Sequence, residues 1–72
     1  MPQINAENVV HVFSYHAPKN DQAQRYERLR EAARNFAVLI LECTPSSPEQ
    51  TLALRDLQRC VMMANCSIAI NE

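Results

Sequence analysis

Apolar side chains at Tyr26, Leu29, Ala33, Phe36, Ala37 and Ile40 fall at the spacing of one helical face, and Leu54, Leu57, Val61, Ala64 and Ile68 repeat the same period. Between the two stretches lies TPSSPEQ. Thr44-Pro45 stops the first helix, because the residue before a proline is pushed out of the helical region. Ser47 can cap the second helix, with Pro48 at its first position and Gln50 placed to complete a capping box. Upstream, Asn20 or Asp21 can cap the first helix. The expectation is one domain over 1–72: an N-terminal segment over 1–18, a first long helix over 20–43 and a second over 48–70. So short a connector makes the two helices antiparallel neighbours, a helical hairpin. Ahead of them, NAENVVHVF reads as a short amphipathic helix capped by Asn5, with Ile4, Val9, Val10 and Phe13 to pack on the hairpin; VVHVF is also acceptable as a strand. The fold class is all-α.

The second helix carries more apolar surface than a hairpin can use. At about 100° per residue, Leu52, Met63, Cys66 and Ile70 gather opposite the Leu57 stripe. Val38 and Leu41 likewise stand away from the Leu29/Phe36 stripe, so the first helix is apolar nearly all round in its last turns. Surplus faces of this kind call for further protein, and a homo-oligomer is expected.

Composition strengthens that expectation. A chain of 72 residues buries too little of its own surface to be comfortably stable alone. It has 47% hydrophobic residues, no metal-ligand cluster, and three cysteines (Cys43, Cys60, Cys66) without zinc or CxxC spacing, which read as small buried apolar groups in a reducing compartment. There is no glycine, and Pro2, Pro18, Pro45 and Pro48 supply the punctuation, in keeping with helices and brief connectors. No basic stretch followed by an apolar core marks a secretion signal, and FAVLIL is too short to span a bilayer, so a cytosolic protein away from membranes is expected.

A net charge of −1 gives no global pull toward DNA or an anionic membrane. Locally the balance differs. Lys19, Arg25, Arg28, Arg30 and Arg34 are five of the seven basic residues, opposed over that stretch by Asp21, Glu27 and Glu31 alone. The excess suits a compact anion rather than a duplex track. Arg30 and Arg34, at i and i+4, can bring two guanidinium forks to phosphate oxygens. Tyr15 offers a flat face for a base and a hydroxyl for a phosphate, and Lys19 stands near the start of the long helix, where free backbone N–H groups also favour anions. Ordinary i, i+3 pairing of the arginines with Glu27 and Glu31, and a core position for Tyr15, are the plainer alternatives. An enzyme would need a nucleophile with its base, a carboxylate pair or a metal. None is assembled: His11 and His16 lack helical metal spacing, Cys43 has no evident histidine partner, and Glu27 with Glu31 reads as a solvated face. No catalytic residue, metal or cofactor is expected. A bare interaction module remains the third class, explaining Leu52, Met63 and Ile70 but not the segment around Tyr15.

YHAPK followed by DQ and RYE, the SPEQ turn before LAL, and the closing VMMAN occur in that order. In these pieces, residues 13–72 resemble the small phage hairpin-domain family that includes the anti-CBASS cyclic-nucleotide sponges, with anti-Thoeris sponges as relatives. The resemblance implies a nonenzymatic protein that sequesters cyclic dinucleotides such as cyclic GMP-AMP in the cytoplasm of an infected bacterium. It further implies a homohexamer, a trimer of dimers with ligand between paired protomers, and a separate pocket for cyclic trinucleotides. An aromatic in the YH motif and a basic residue of the first long helix would contact base and phosphate. These match Tyr15 and Arg30, with Phe13 and Lys19 as neighbours, and Arg34 joins them from the spacing above. Asn20 stands where the family pattern has glycine, Met63 where it has tryptophan, and Ile70 where it commonly has arginine. If that arginine serves the trinucleotide pocket, the pocket is altered in this chain. A sponge for cyclic ADP-ribose isomers is the alternative within the same resemblance.

Overall fold

The computed structural model describes residues 3–72, so that Pro2 lies outside the described residues. Three helices follow one another: α1 (Val9–Val12), α2 (Gln22–Cys43) and α3 (Pro48–Asn71). No strand occurs among the described residues, and α2 and α3 pack side by side as the expected hairpin. None of the described helices is long and apolar enough to cross a membrane.

The turn between the long helices is made largely by local hydrogen bonds. Ser47 is extended (φ −166°, ψ 163°), and its Oγ accepts from the Gln50 N–H at 3.1 Å, satisfying one of the donors that a helix start leaves over. The reciprocal half of the capping box is replaced. Gln50 Nε2 turns to the C-terminal end of α2 and donates to Thr44 O at 3.1 Å and Thr44 Oγ1 at 3.0 Å, tying the two helices across the turn. Thr44 also closes α2, its N–H and its hydroxyl both donating to Ile40 O.

At the other end, α2 begins at Gln22. Asp21 occupies the cap position without capping; its Oδ1 accepts from Arg25 Nε at 3.2 Å instead. Asn20 takes the left-handed conformation at φ 54°, the region where a glycine would be at ease and which asparagine tolerates better than most residues. α1 is a single turn. Asn8, not Asn5, holds its cap position, and no side chain caps it; Asn5 Oδ1 accepts from Glu7 N and Asn8 N and so organises the turn ahead of α1.

The seam between α2 and α3 is the one read from periodicity: Tyr26, Leu29, Ala33, Ala37 and Ile40 face Leu54, Leu57, Val61, Ala64 and Ile68, all half-buried. Phe36 departs from it and is 53% exposed. Phe36 sits one position before Ala37 and falls on the flank of the stripe, where two helices give no cover. Cys43 and Cys60 are exposed rather than buried, and Cys66 is half-buried; all three are free thiols. On the outer face Leu52 and Met63 are exposed as expected, along with Val38 and Leu41, but Ile70 is half-buried. The N-terminal segment reaches the last turns of α3 here, with His11 Nε2 donating to Ile70 O at 2.7 Å. Val12 is half-buried there, whereas Ile4, Val9, Val10 and Phe13 remain exposed instead of packing on the hairpin.

No apolar side chain among the described residues is fully buried. The chain exposes 5917 Å², against roughly 4500 Å² for a compact protein of this mass. Its radius of gyration of 15.3 Å likewise exceeds the roughly 11 Å of a globule of equal length.

Candidate functional site

Tyr15 lies on the strap between α1 and α2, and hydrogen bonds hold that strap on both sides of it. Before it, His11 donates to Ile70 O, and Ser14 Oγ donates to Val10 O. After it, His16 Nε2 donates to His11 O at 2.7 Å, and the two imidazoles meet edge to face, 4.6 Å between centroids. Each acceptor is a carbonyl, so each ring carries its proton on Nε2. Beyond Pro18 the strap is clamped to the end of α3. Lys19 N donates to Gln22 Oε1 at 3.1 Å, Lys19 Nζ to Glu72 O at 2.7 Å, and Gln22 Nε2 to Glu72 Oε1 at 3.4 Å. Gln22, 3% exposed, is the one buried side chain among the described residues.

The Glu72 carboxylate is the hub of this clamp. Arg25 reaches it in a two-pronged grip, Nη1 to Oε2 at 2.8 Å and Nη2 to Oε1. Hydrogen bonds from Arg25 first and Gln22 second pull the Glu72 pKa down to about 2 from its ordinary 4.5, and the Arg25 pKa is raised by the same partner.

Tyr15 itself is free, 86% exposed, which removes the core reading. With His16 and Pro18 it forms one wall of an open groove whose other sides are Tyr26 and Arg30 from α2 and Met62, Asn65 and Cys66 from α3. Asn65 adds an unclaimed group, since its Oδ1 is shielded from water and accepts no hydrogen bond. Leaving such an acceptor unpaired costs about 1–3 kcal/mol. Arg30 Nη1 donates to Glu27 Oε2 at 2.7 Å, an exposed i, i+3 pair that water and salt weaken.

Arg30 also lines a second groove along the α2/α3 seam, together with Arg34, Ala37, Arg55 and Gln58. The two grooves share Arg30. Tyr26, Arg30 and Arg34 follow one another at four-residue spacing along the α2 wall, and Arg55, Gln58, Met62, Asn65 and Ala69 run at three- and four-residue spacing along the α3 wall. The candidates read from sequence therefore divide. Tyr15 and Arg30 meet in one groove, and Arg30 and Arg34 in the next. Lys19 is turned to Glu72, while Phe13 lies 75% exposed and lines neither groove. Asn65 and Arg55 were missed. Asn65 could have been noticed as the polar member of an otherwise apolar helical turn, VMMANC; Arg55, beside Asp56, carried no signal.

Among the described residues no three histidine, cysteine or carboxylate side chains stand close enough to hold a metal. The side chains gathered in the two grooves are an aromatic face, guanidinium donors and an amide, groups suited to stacking on a base, gripping phosphate and reading polar edges.

Neither a curated protein nor a solved structure shows significant similarity to the chain. A family model does: the Acb2/Tad1 hairpin domain matches residues 5–69, nearly the whole length, a span that includes the strap, most of the hairpin and the residues of both grooves. The chain therefore belongs to the Acb2/Tad1 hairpin-domain family, the anti-CBASS and anti-Thoeris sponges of cyclic nucleotide signals.

Proposed function

We propose that this protein is a phage anti-defence sponge that binds cyclic dinucleotide messengers such as cyclic GMP-AMP in the infected bacterium, without cleaving them, and so withholds them from the CBASS effector. The observation that carries this reading is the meeting of Tyr15 and Arg30 in one groove, in a chain of the sponge family. Tyr15 is free to stack on a base, an interaction worth about 1–3 kcal/mol. Arg30 offers fork donors to a phosphodiester, and Asn65 brings an amide to the same groove from α3. Sequestration needs slow release and abundance rather than turnover, so no catalytic group is required.

The working unit in this reading is a homohexamer, a trimer of dimers with the messenger between paired protomers. The large exposed area and the uncovered apolar side chains of α2 and α3 support assembly. Ile70, where the family pattern has arginine, is half-buried and carries no charge, so a trinucleotide pocket that depends on an arginine at that position is altered. Because the matching family also contains the anti-Thoeris members, cyclic ADP-ribose isomers are the second class of ligand.

Incubation with cyclic GMP-AMP, removal of free nucleotide and heat denaturation should return the nucleotide intact. A hydrolysed product would make the protein an enzyme. A thermal-shift series with cyclic dinucleotides, trinucleotides and ADP-ribose isomers should raise the melting temperature with its true ligand; no shift with any of them would leave only an interaction module.

A further inference from the structure

We infer that His11 and His16 are positioning residues: their imidazoles form a relay from the last turn of α3 to the strap, and this relay holds Tyr15 toward the messenger. The inference rests on the reading of the protein as a cyclic-nucleotide binder. The relay has two links. His11 Nε2 donates to Ile70 O on α3 at 2.7 Å, and His16 Nε2 donates to His11 O, also at 2.7 Å. A carbonyl oxygen has two lone pairs, and the Ser14 N–H donates to the same His11 O at 3.3 Å. The residues before and after Tyr15 are thus tied to one carbonyl, and His11 itself is tied to α3. The two rings meet edge to face, 4.6 Å between centroids, which braces one link against the other.

Exposed as it is, Tyr15 takes its direction from the backbone on either side of it rather than from packing. The next hydrogen bonds from the strap to the hairpin are those around Lys19, beyond Pro18. Without the relay, the strap is hydrogen-bonded to the hairpin at that end alone, and Tyr15 visits positions other than the one beside Arg30 and Asn65. A stacking platform that is ordered only on binding gives up part of its affinity to the entropy of ordering. With the relay in place that cost falls on folding instead. His16 also lines the Tyr15 groove, whereas His11 does not, so His11 reaches the ligand only through the strap.

Two measurements test the relay, the first without ligand. Tyr26→Phe leaves Tyr15 as the single tyrosine, and its fluorescence anisotropy decay then reports the motion of the strap. In that background Tyr15 should reorient mainly with the whole molecule. His11→Ala and His16→Ala should each add a fast component, and His11→Gln, whose amide can donate to Ile70 O in place of the imidazole, should remove most of it. An unchanged decay in His11→Ala overturns the relay.

Calorimetry of the full chain with cyclic GMP-AMP is the second measurement. His11→Ala should weaken binding about threefold to tenfold, the worth of one hydrogen bond, and His11→Gln should recover it. In a Tyr15→Ala background His11→Ala should cost nothing further, because its effect passes through the missing ring. An equal loss with and without Tyr15 would place the action of His11 elsewhere and overturn the relay. Unchanged binding in His11→Ala overturns it too, and leaves the sponge reading intact. If the parent binds no cyclic nucleotide, the sponge reading fails, and the anisotropy decay still decides whether the relay holds Tyr15.

Discussion

Asn20 ties backbone geometry to the placement of the site. Its left-handed turn brings the strap that carries Tyr15 round into α2, and a Cβ in that region collides with the backbone unless the side chain compensates locally. Asn20→Ala should cost about 1 kcal/mol, and Asn20→Gly should be neutral or slightly stabilising. On melting, the alanine variant should fall by about 4–8 °C; equal melting of all three proteins would mean that the turn relaxes to another conformation. That Asn20 stands where the family pattern has glycine was legible in the sequence. Lys19 was not. Its ammonium looked available to an anion beside the helix start, yet Glu72 O, 53 positions away, accepts from it. A local window cannot show a competing acceptor that only the tertiary fold supplies.

Capping, periodicity and proline placement set the two long helices, because each acts within a few residues along the chain. Contacts across helix ends escaped that reading. Gln50 had the right spacing for a capping box, but the end of α2 offered two acceptors on Thr44 and took its amide. α1 had apolar positions for packing, yet it docks through the His11 imidazole, since one turn of helix cannot present a continuous apolar face. The clamp of Lys19, Gln22 and Arg25 on Glu72 joins strap, α2 and α3, and its pH dependence has a definite sign. The folded-state pKa of Glu72 is about 2, below the ordinary 4.5, so its contribution is fully present above pH 4.5 and is lost as pH falls from there toward 2. The melting temperature should decline over that window in the parent and decline less in Glu72→Gln. Parallel declines in the two proteins would show that the carboxylate contributes no linkage.

For the molecule as a whole, exposed area is the telling quantity. A single hairpin with half-buried seams and no fully buried apolar side chain among its described residues has surface left to cover. Leu52 and Met63 on α3, and Phe36, Val38, Leu39 and Leu41 on α2, stand open to solvent. In the proposed hexamer these faces meet other copies. Met63→Asp places a charge where neighbouring chains would exclude water, and it should lower the particle mass measured by light scattering. An unchanged multimer would assign Met63 to free surface, and a parent protein of single-chain mass would end the hexamer proposal.

By itself the sequence determined the all-helical hairpin, the boundaries of its two long helices to within two residues and the apolar stripes of the seam, because helical hydrogen bonds, caps and face periodicity are local properties. Tertiary structure alone decided that Tyr15 and Arg30 share a groove with Asn65, that Arg55 joins Arg30 and Arg34 in the seam groove, that Lys19 is turned away and that Phe36 lies outside the seam. Those outcomes depend on which side chains from distant parts of the chain face the same space and on which of several competing partners lies within reach, and spacing along the chain encodes neither.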